Sequence, residues 1–362
     1  MKIGILTFHN AYNYGAVLQA YALQTYLDGQ GHQVEVIDYR NDEVELSYTL
    51  FRFKSMPKRN IVKSVKYLVN HFYRSYKYPK FHRHAMQLLK LSPRVNDLKD
   101  SSIADKDVVI IGSDQLWNRK ITRINDPFYW GEFAGDITGR VITYAICMNT
   151  DILSSEQLDF MRSHLDNFDS LSVRETDLAN ILRQLTSKHI HISLDPTLMV
   201  DATMWRGMIK KELLPVKKPY VLVYAILERN RVIEEARKFA GKLNLRLIIM
   251  SPIADVEPFK GYYQPNSPLG FMSAIANAEY VVTSSFHGLA FSVIFHREVY
   301  VMGDSGKNER MHSLLGNLGI GDRFVNDIGG MEIKKIDYSN VEDRLSSLRS
   351  QSRNYLNTAI KG

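Results

Sequence analysis

Five short polar segments carry side chains that could do chemistry, and four of them directly follow a short apolar run. Thr283-Ser284-Ser285-Phe286-His287-Gly288 places hydroxyls, an imidazole and a glycine at the entry to an apolar helical stretch. That is a seat for an oxyanion or a phosphate with an acid–base group attached. Ser172-Val173-Arg174-Glu175 ends a run on a guanidinium, the natural clamp for phosphate or carboxylate. A structural Arg174–Glu175 pair is the competing reading. Gly112-Ser113-Asp114-Gln115-Leu116-Trp117-Asn118 reads either as the wall of a site or as a turn in which Asp114 caps a helix and Trp117 packs. In His9-Asn10-Ala11-Tyr12-Asn13-Tyr14-Gly15-Ala16, Gly15 lets backbone approach a ligand, and the helix that follows offers free N–H groups to an anion. Lys307-Asn308-Glu309-Arg310 brings two cations that could reach the same ligand, or is a solvated helix start.

The elements around these segments alternate. Residues 2–8 read as a buried strand, 17–27 as a helix ended by Gly29 and Gly31, and 34–38 as a second strand, which is the start of a βαβ unit and of a parallel sheet. Further short strands are expected at 108–111, 141–145, 171–173 and 190–194. A second alternating set runs from the strand 220–226 through the helix 231–243, the strand 245–250, the helix 269–278, the strand 280–283, the helix 289–295 and the strand 299–302. The fold class is α/β: two doubly wound Rossmann-like domains facing a crevice, with ligands outside the carboxyl ends of the strands. The expected division is 1–196 for the first domain, 197–219 for a connection, 220–340 for the second domain and 341–362 for a C-terminal helix.

Several classes fall away. There is no G-x-G-x-x-G fingerprint, so Asp38 reads as a strand-end residue and not a ribose ligand. The H-E-x-x-H, C-x-x-C and EF-hand patterns are missing, and no metal is expected. No G-x-S-x-G elbow is present. The single cysteine, Cys147, excludes an intramolecular disulfide, and cysteine nucleophile chemistry is not expected. With no long apolar run and no signal-peptide pattern, a cytoplasmic protein is the expectation.

The net charge of +7 is local. Residues 46–96 hold twelve Lys/Arg and no Asp/Glu, whereas the remainder holds 34 Lys/Arg and 39 acids. Ile61, Val65, Leu68, Val69 and Phe72 recur there at helical spacing among many aromatics. This basic, aromatic insertion suits an anionic membrane surface at the inner face of the cytoplasmic membrane, an anionic glycan, or a solvated helix packed on its own domain. No nucleic-acid motif accompanies it, and nucleic acid is not expected as a partner.

Taken together, Asn13-Tyr14-Gly15-Ala16-Val17-Leu18-Gln19, Ile111-Gly112-Ser113-Asp114-Gln115-Leu116-Trp117-Asn118, Ser172-Val173-Arg174-Glu175, Asp195-Pro196-Thr197 and Ser285-Phe286-His287-Gly288 occur in the order found in polysaccharide pyruvyl transferases. The chain resembles that family from about residue 1 to about residue 320. The resemblance implies a GT-B-like fold and a reaction without a cofactor. Phosphoenolpyruvate is the co-substrate, and its enolpyruvyl unit goes to two hydroxyls of a saccharide, free or polyprenyl-linked, as a pyruvate ketal with release of phosphate. On this resemblance Arg174 holds the phosphoenolpyruvate anion, His287 lies near the phosphate or the enol carbon, and Lys307 or Arg310 completes the clamp. Many members carry arginine where this chain has Ser285. The expected catalytic residues are His287 as acid, with Glu175 and Asp114 as candidates for deprotonating the hydroxyl. The expected substrate-binding residues are Arg174, Asn13, Tyr14, Gly15, Ser113, Gln115, Ser284, Ser285, Gly288, Lys307 and Arg310. A glycosyltransferase using a nucleotide-sugar donor is the alternative, because the same cations would serve a diphosphate.

Overall fold

The computed structural model describes residues 1–47, 61–150, 153–210, 212, 218–253, 261–303, 309–329 and 332–362. Lys307 and much of the basic segment's first half lie outside them. The first sheet has seven parallel strands: β1 (Lys2–Leu6), β2 (Gln33–Tyr39), β3 (Leu91–Val95), β4 (Val108–Asp114), β5 (Arg140–Ile146), β6 (Leu171–Val173) and β7 (Ile190–Ile192). Their order is β3-β2-β1-β4-β5-β6-β7. The second sheet has β8 (Tyr220–Tyr224), β9 (Arg246–Met250), β10 (Tyr280–Thr283), β11 (Glu298–Met302) and β12 (Phe324–Val325), in the order β12-β11-β10-β8-β9, again parallel. The expected α/β architecture of two doubly wound sheets is therefore present.

Central strands β4 and β8 are nearly continuous runs of Val, Ile, Leu and Tyr because helices cover both of their faces. In each sheet the strand order reverses once, between β1 and β4 in the first and between β8 and β10 in the second. Connections leave in opposite directions at such a point and open a crevice above the carboxyl ends. The polar segments after β1, β4, β8 and β10 sit at these two reversals.

Helix starts are set by caps rather than by the first apolar residue. Asn13 accepts from the Gly15 and Ala16 amides, so the first helix spans Tyr14–Gly29 and includes Gly15 in its first turn. Ser285 caps Phe286–Ile294 in the same way and draws His287 and Gly288 into the helix. Three elements depart from the sequence reading. Leu91–Val95, at the end of the basic segment, is an edge strand, a position that tolerates Pro93. The connection after residue 196 carries helices Pro196–Met199 and Ala202–Ile209, and Trp205 in it is fully buried with its indole N–H donated to Thr197 O. β12 has only two residues, too few for any periodicity.

The last helix, Tyr338–Lys361, returns to the first sheet. Tyr355 Oη donates to Thr143 O, Arg349 Nε to Leu198 O, and Ser352 Oγ accepts from Leu194 N. One apolar core runs from Ile3, Val17 and Leu18 of the first half through Trp205 to Phe271, Leu289 and Phe291 of the second. Tyr14 belongs to this join, stacked on Phe271 with its hydroxyl donated to Pro265 O at 2.7 Å. The halves are thus tied together directly beneath the crevice.

Candidate active site

Arg174 leaves the end of β6 into the crevice floor and is buried. Its Nη2 donates to Ser113 Oγ and lies 2.8 Å from Asp195 Oδ2. Its guanidinium also stands over the Phe286 ring, 4.8 Å from the centroid. Ser113 can reach it because the chain at Gly112 takes φ 128°, and a Cβ there would sit 2.2 Å from Tyr144 O. Ser113 Oγ is fixed in turn by donating to Ala145 O.

Asp195 is fully buried after β7. Its Oδ1 accepts from the Thr197 amide at 2.9 Å and the Thr197 hydroxyl at 2.6 Å, which caps the short helix behind it. Its Oδ2 faces Arg174 and, at 3.6 Å, His287 Nε2 from the other half. Burial opposes ionisation, but Arg174, His287 and Thr197 outweigh it and hold this carboxyl well below the usual range. The His287 ring is pressed against the first helix: a Cβ on Gly15 would lie 2.0 Å from Nδ1. Gly15 is therefore a packing requirement of the histidine.

Glu175 occupies the cap position of helix Thr176–Leu185 but makes no cap hydrogen bond. Burial pushes its carboxyl up to about 7, even with Arg174 and Arg310 nearby to lower it. Arg310 Nε comes to 3.9 Å from Glu175 Oε1. The Gln115 amide oxygen, turned toward the same guanidinium, accepts from Nη1 and Nη2 at 2.9 and 2.6 Å. Cys147 is buried beside this pair; burial, with Glu175 adding to it, pushes its thiol up, the opposite of a nucleophilic setting.

The cluster is under-satisfied. Arg174 Nε and Nη1, both Glu175 oxygens, Asp195 Oδ2 and His287 Nε2 are buried without an aligned hydrogen-bond partner among the described residues. Buried polar atoms are normally paired, so a concentration of exceptions at one crevice marks groups arranged for a ligand. A narrow cavity opens beside them, lined by Arg174, Asp195, Phe286, Arg310, Ser313 and Leu348. A wider cleft of about 640 Å³ lies at the amino edge of β1 and β2, where Lys106 pairs with Glu35 and Lys90 with Asp28. That is the wrong end of the strands for a doubly wound fold, and four of its charged side chains already pair with one another. No group of three or more His, Cys, Asp or Glu among the described residues could hold a metal ion.

The structure thus brings Gly15, Ser113, Gln115, Arg174, Glu175, His287 and Arg310 together. Asp114 stands at the rim, half-buried, with Oδ1 accepting from the Gln115 amide. Others serve the scaffold: Asn13, Ser285 and Gly288 form caps, and Tyr14 is core. Ser284 Oγ accepts from the Ile226 and Leu227 amides and donates to Leu227 O, holding the loop after β8. Sequence reasoning missed Asp195 as a site residue. The available signal was an Asp-Pro-Thr directly after a short strand, the same position that exposed Arg174.

No curated protein sequence matches the chain. Solved structures similar to it include the UDP-GlcNAc 2-epimerase from Methanocaldococcus jannaschii, at 11% identity over 96% of this chain and 92% of that chain with a TM-score of 0.49. Others are the UDP-N-acetylglucosamine 2-epimerase from Rickettsia bellii (10% identity, 99% and 96% covered, TM-score 0.46) and the glycosyltransferase SnogD from Streptomyces nogalater (10% identity, 100% and 98% covered, TM-score 0.44). Among the described residues no helix is long and apolar enough to cross a membrane. The model of the polysaccharide pyruvyl transferase family matches residues 13–306, which takes in every site segment from Asn13 to His287, and the chain belongs to that family.

Proposed function

We propose that this transferase moves the enolpyruvyl group of phosphoenolpyruvate onto two hydroxyls of a cell-surface polysaccharide or its lipid-linked precursor, closing a pyruvate ketal and releasing phosphate. The observation that carries the reading is the crevice cluster in which Arg174, Arg310 and His287 converge with buried N–H groups still open to an anion. Phosphoenolpyruvate brings a carboxylate and a phosphate to such a place. Arg174 and Arg310 bind them as cations that stay charged at any working pH.

The reaction needs a proton on the methylene carbon, which becomes the methyl group and leaves C2 electrophilic. The first hydroxyl then adds to C2 and gives up its proton. The second hydroxyl displaces phosphate, its proton leaving with the phosphate, so no net proton is consumed. Burial pushes the Glu175 carboxyl up to about 7, so a share of it carries a proton near neutral pH, and we assign it as the donor to carbon. This departs from the sequence expectation that His287 is the acid. His287, steered by Asp195, faces the phosphate and supplies a hydrogen-bond donor as it leaves. Asp114 at the rim accepts the proton of the entering hydroxyl.

Isothermal titration of the purified protein with phosphoenolpyruvate tests this reading. Saturable binding that Arg174→Ala and His287→Ala abolish is the expected result. Affinity for a nucleotide sugar with none for phosphoenolpyruvate at millimolar concentration overturns it and favours the glycosyltransferase alternative.

A further inference from the structure

The helix Ile61–Met86 packs on the loop before the first helix and on the second half, and among its described side chains, from Leu68 on, the two faces differ sharply. The inner face is pinned. Tyr78, Phe81 and Ala85 are buried, Tyr78 stacks on Tyr12 with centroids 4.1 Å apart, and Phe81 packs edge-on against Tyr14. Lys77 Nζ donates to Gln264 O of the second half at 2.9 Å. Tyr12 lies three residues before Gly15, the residue on which His287 rests. The helix is therefore fixed to both halves beside the active site.

The outer face is apolar at its centre. Leu68, Phe72 and Tyr76 follow at four-residue steps and are 36%, 72% and 58% exposed. Four-residue steps keep side chains on one face. Cations border the row: Lys80 Nζ lies 3.6 Å above the Tyr76 ring, and Arg83 is exposed two turns beyond Tyr76 on the same side. Along the sequence, residues 46–96 have twelve Lys/Arg and no acid.

We propose that this outer face docks on an anionic lipid bilayer. A nucleic acid or an acidic glycan would answer the cations and could stack on the two rings, but it would leave Leu68, in line with them, uncovered. A bilayer takes both, with apolar side chains at the acyl boundary and cations among the anionic headgroups. Because the opposite face holds the Tyr12 loop, docking sets the crevice about one helix diameter, roughly 10 Å, from the headgroups. A saccharide carried on a membrane lipid would reach the site from that side. The docking itself does not depend on which reaction the crevice performs.

The test is co-sedimentation of the full chain with phosphatidylcholine vesicles, with and without phosphatidylglycerol. Binding is expected only with the anionic lipid, weakening as salt is raised. The double variants Phe72→Ser/Tyr76→Ser and Lys80→Gln/Arg83→Gln should each weaken it by about tenfold or more, with phosphoenolpyruvate titration and melting temperature unchanged. Phe72→Trp adds an indole to a protein whose three tryptophans are buried, and its emission should shift to shorter wavelength on anionic vesicles alone. Absence of vesicle binding, equal binding to neutral vesicles, variants that bind like the parent, or retention by heparin without vesicle binding each overturns the proposal. Failure of phosphoenolpyruvate to bind would sink the proposed reaction and leave this docking standing.

Discussion

His9, Asp38 and Arg40 form one largely buried cluster at the carboxyl ends of β1 and β2; His287, Asp195 and Arg174 form another at the crevice. The side-chain types are the same, and in both the aspartate is held well below its usual range against the opposing effect of burial. Their wiring differs. In the first, His9 Nε2 meets Asp38 Oδ1 at 3.0 Å, His9 Nδ1 faces Thr7 O at 3.3 Å, and Arg40 grips both Asp38 oxygens at 2.7 and 3.0 Å. These contacts all lie within one half of the molecule. In the second, the histidine comes from the other half, the approach to Asp195 is 3.6 Å, and buried donors and acceptors remain without aligned partners. A His–Asp–Arg set is therefore no signature of a site. What distinguishes the crevice is hydrogen-bonding capacity left open and shared between two domains.

The comparison breaks first if the crevice cations are dispensable. Arg174→Ala and His287→Ala should each lower turnover by at least about 100-fold while the protein stays folded. Phosphate release from phosphoenolpyruvate in the presence of acceptor measures this, with circular dichroism as the control for folding. Near-normal turnover in either folded variant removes that residue from the mechanism.

The next effect concerns Glu175 and has a sign opposite to that of the two aspartates. An unfolded glutamate titrates near about 4.3, whereas this buried carboxyl is pushed up to about 7. Between those values the folded chain keeps a proton that the unfolded chain releases. Stability from this group is complete below the lower value and is lost as pH rises through the upper one. Relative to Glu175→Gln, the parent should lose on the order of 2 to 3 kcal/mol between about pH 4.5 and 8. Urea unfolding of both proteins at the two pH values gives the difference, and parallel stability curves would refute it. For Asp38 and Asp195 the contribution is present above the ordinary carboxylate range and is lost as pH falls below that range toward their depressed folded values.

Much of the frame was legible in the sequence and the decisive contact was not. Apolar runs ending in polar turns located the strands because both sheet faces are buried, and the order of motifs located the crevice. Asp195 was visible as part of Asp195-Pro196-Thr197 but carried no role, because after a three-residue strand it reads as the cap of a short helix, which it also is. Its second oxygen joins Arg174, some twenty residues earlier, to His287, some ninety residues later, and neither contact is visible locally. The helix 202–209 was hidden in a segment read as a connection, since Trp205 becomes core only against Phe291 of the other half. Tyr14 and Ser284 looked chemical by position, yet tertiary partners far away in sequence claim their hydroxyls.

Asp195 sharpens the contrast at an intermediate scale. In Asp195→Asn the arginine and histidine lose the charge that holds them at one point, but the anion loses nothing that attracts it. Turnover should fall by about 10- to 100-fold, as expected for displaced catalytic groups, while the KM for phosphoenolpyruvate stays level or drops. Thr197→Val keeps the charge and removes only the 2.6 Å bond that orients it, so it should show the same split more weakly. A rise in KM with unchanged kcat in both variants would make Asp195 a part of the binding surface and not a positioning residue.

The smallest effect falls on the satisfied cluster and is of another kind. His9→Ala removes one neighbour from Asp38, but the Arg40 fork and the amide that Ser92 anchors stay in place. The carboxylate is left paired, so the cost is near that of one buried charge-assisted hydrogen bond, about 1 to 2 kcal/mol, and not the larger penalty of a stranded charge. A lower melting temperature with unaltered phosphoenolpyruvate binding is the expected outcome. If instead His9→Ala leaves stability alone and abolishes binding, the open crevice extends to the end of β1, and local satisfaction of a cluster is no guide to whether it takes part in chemistry.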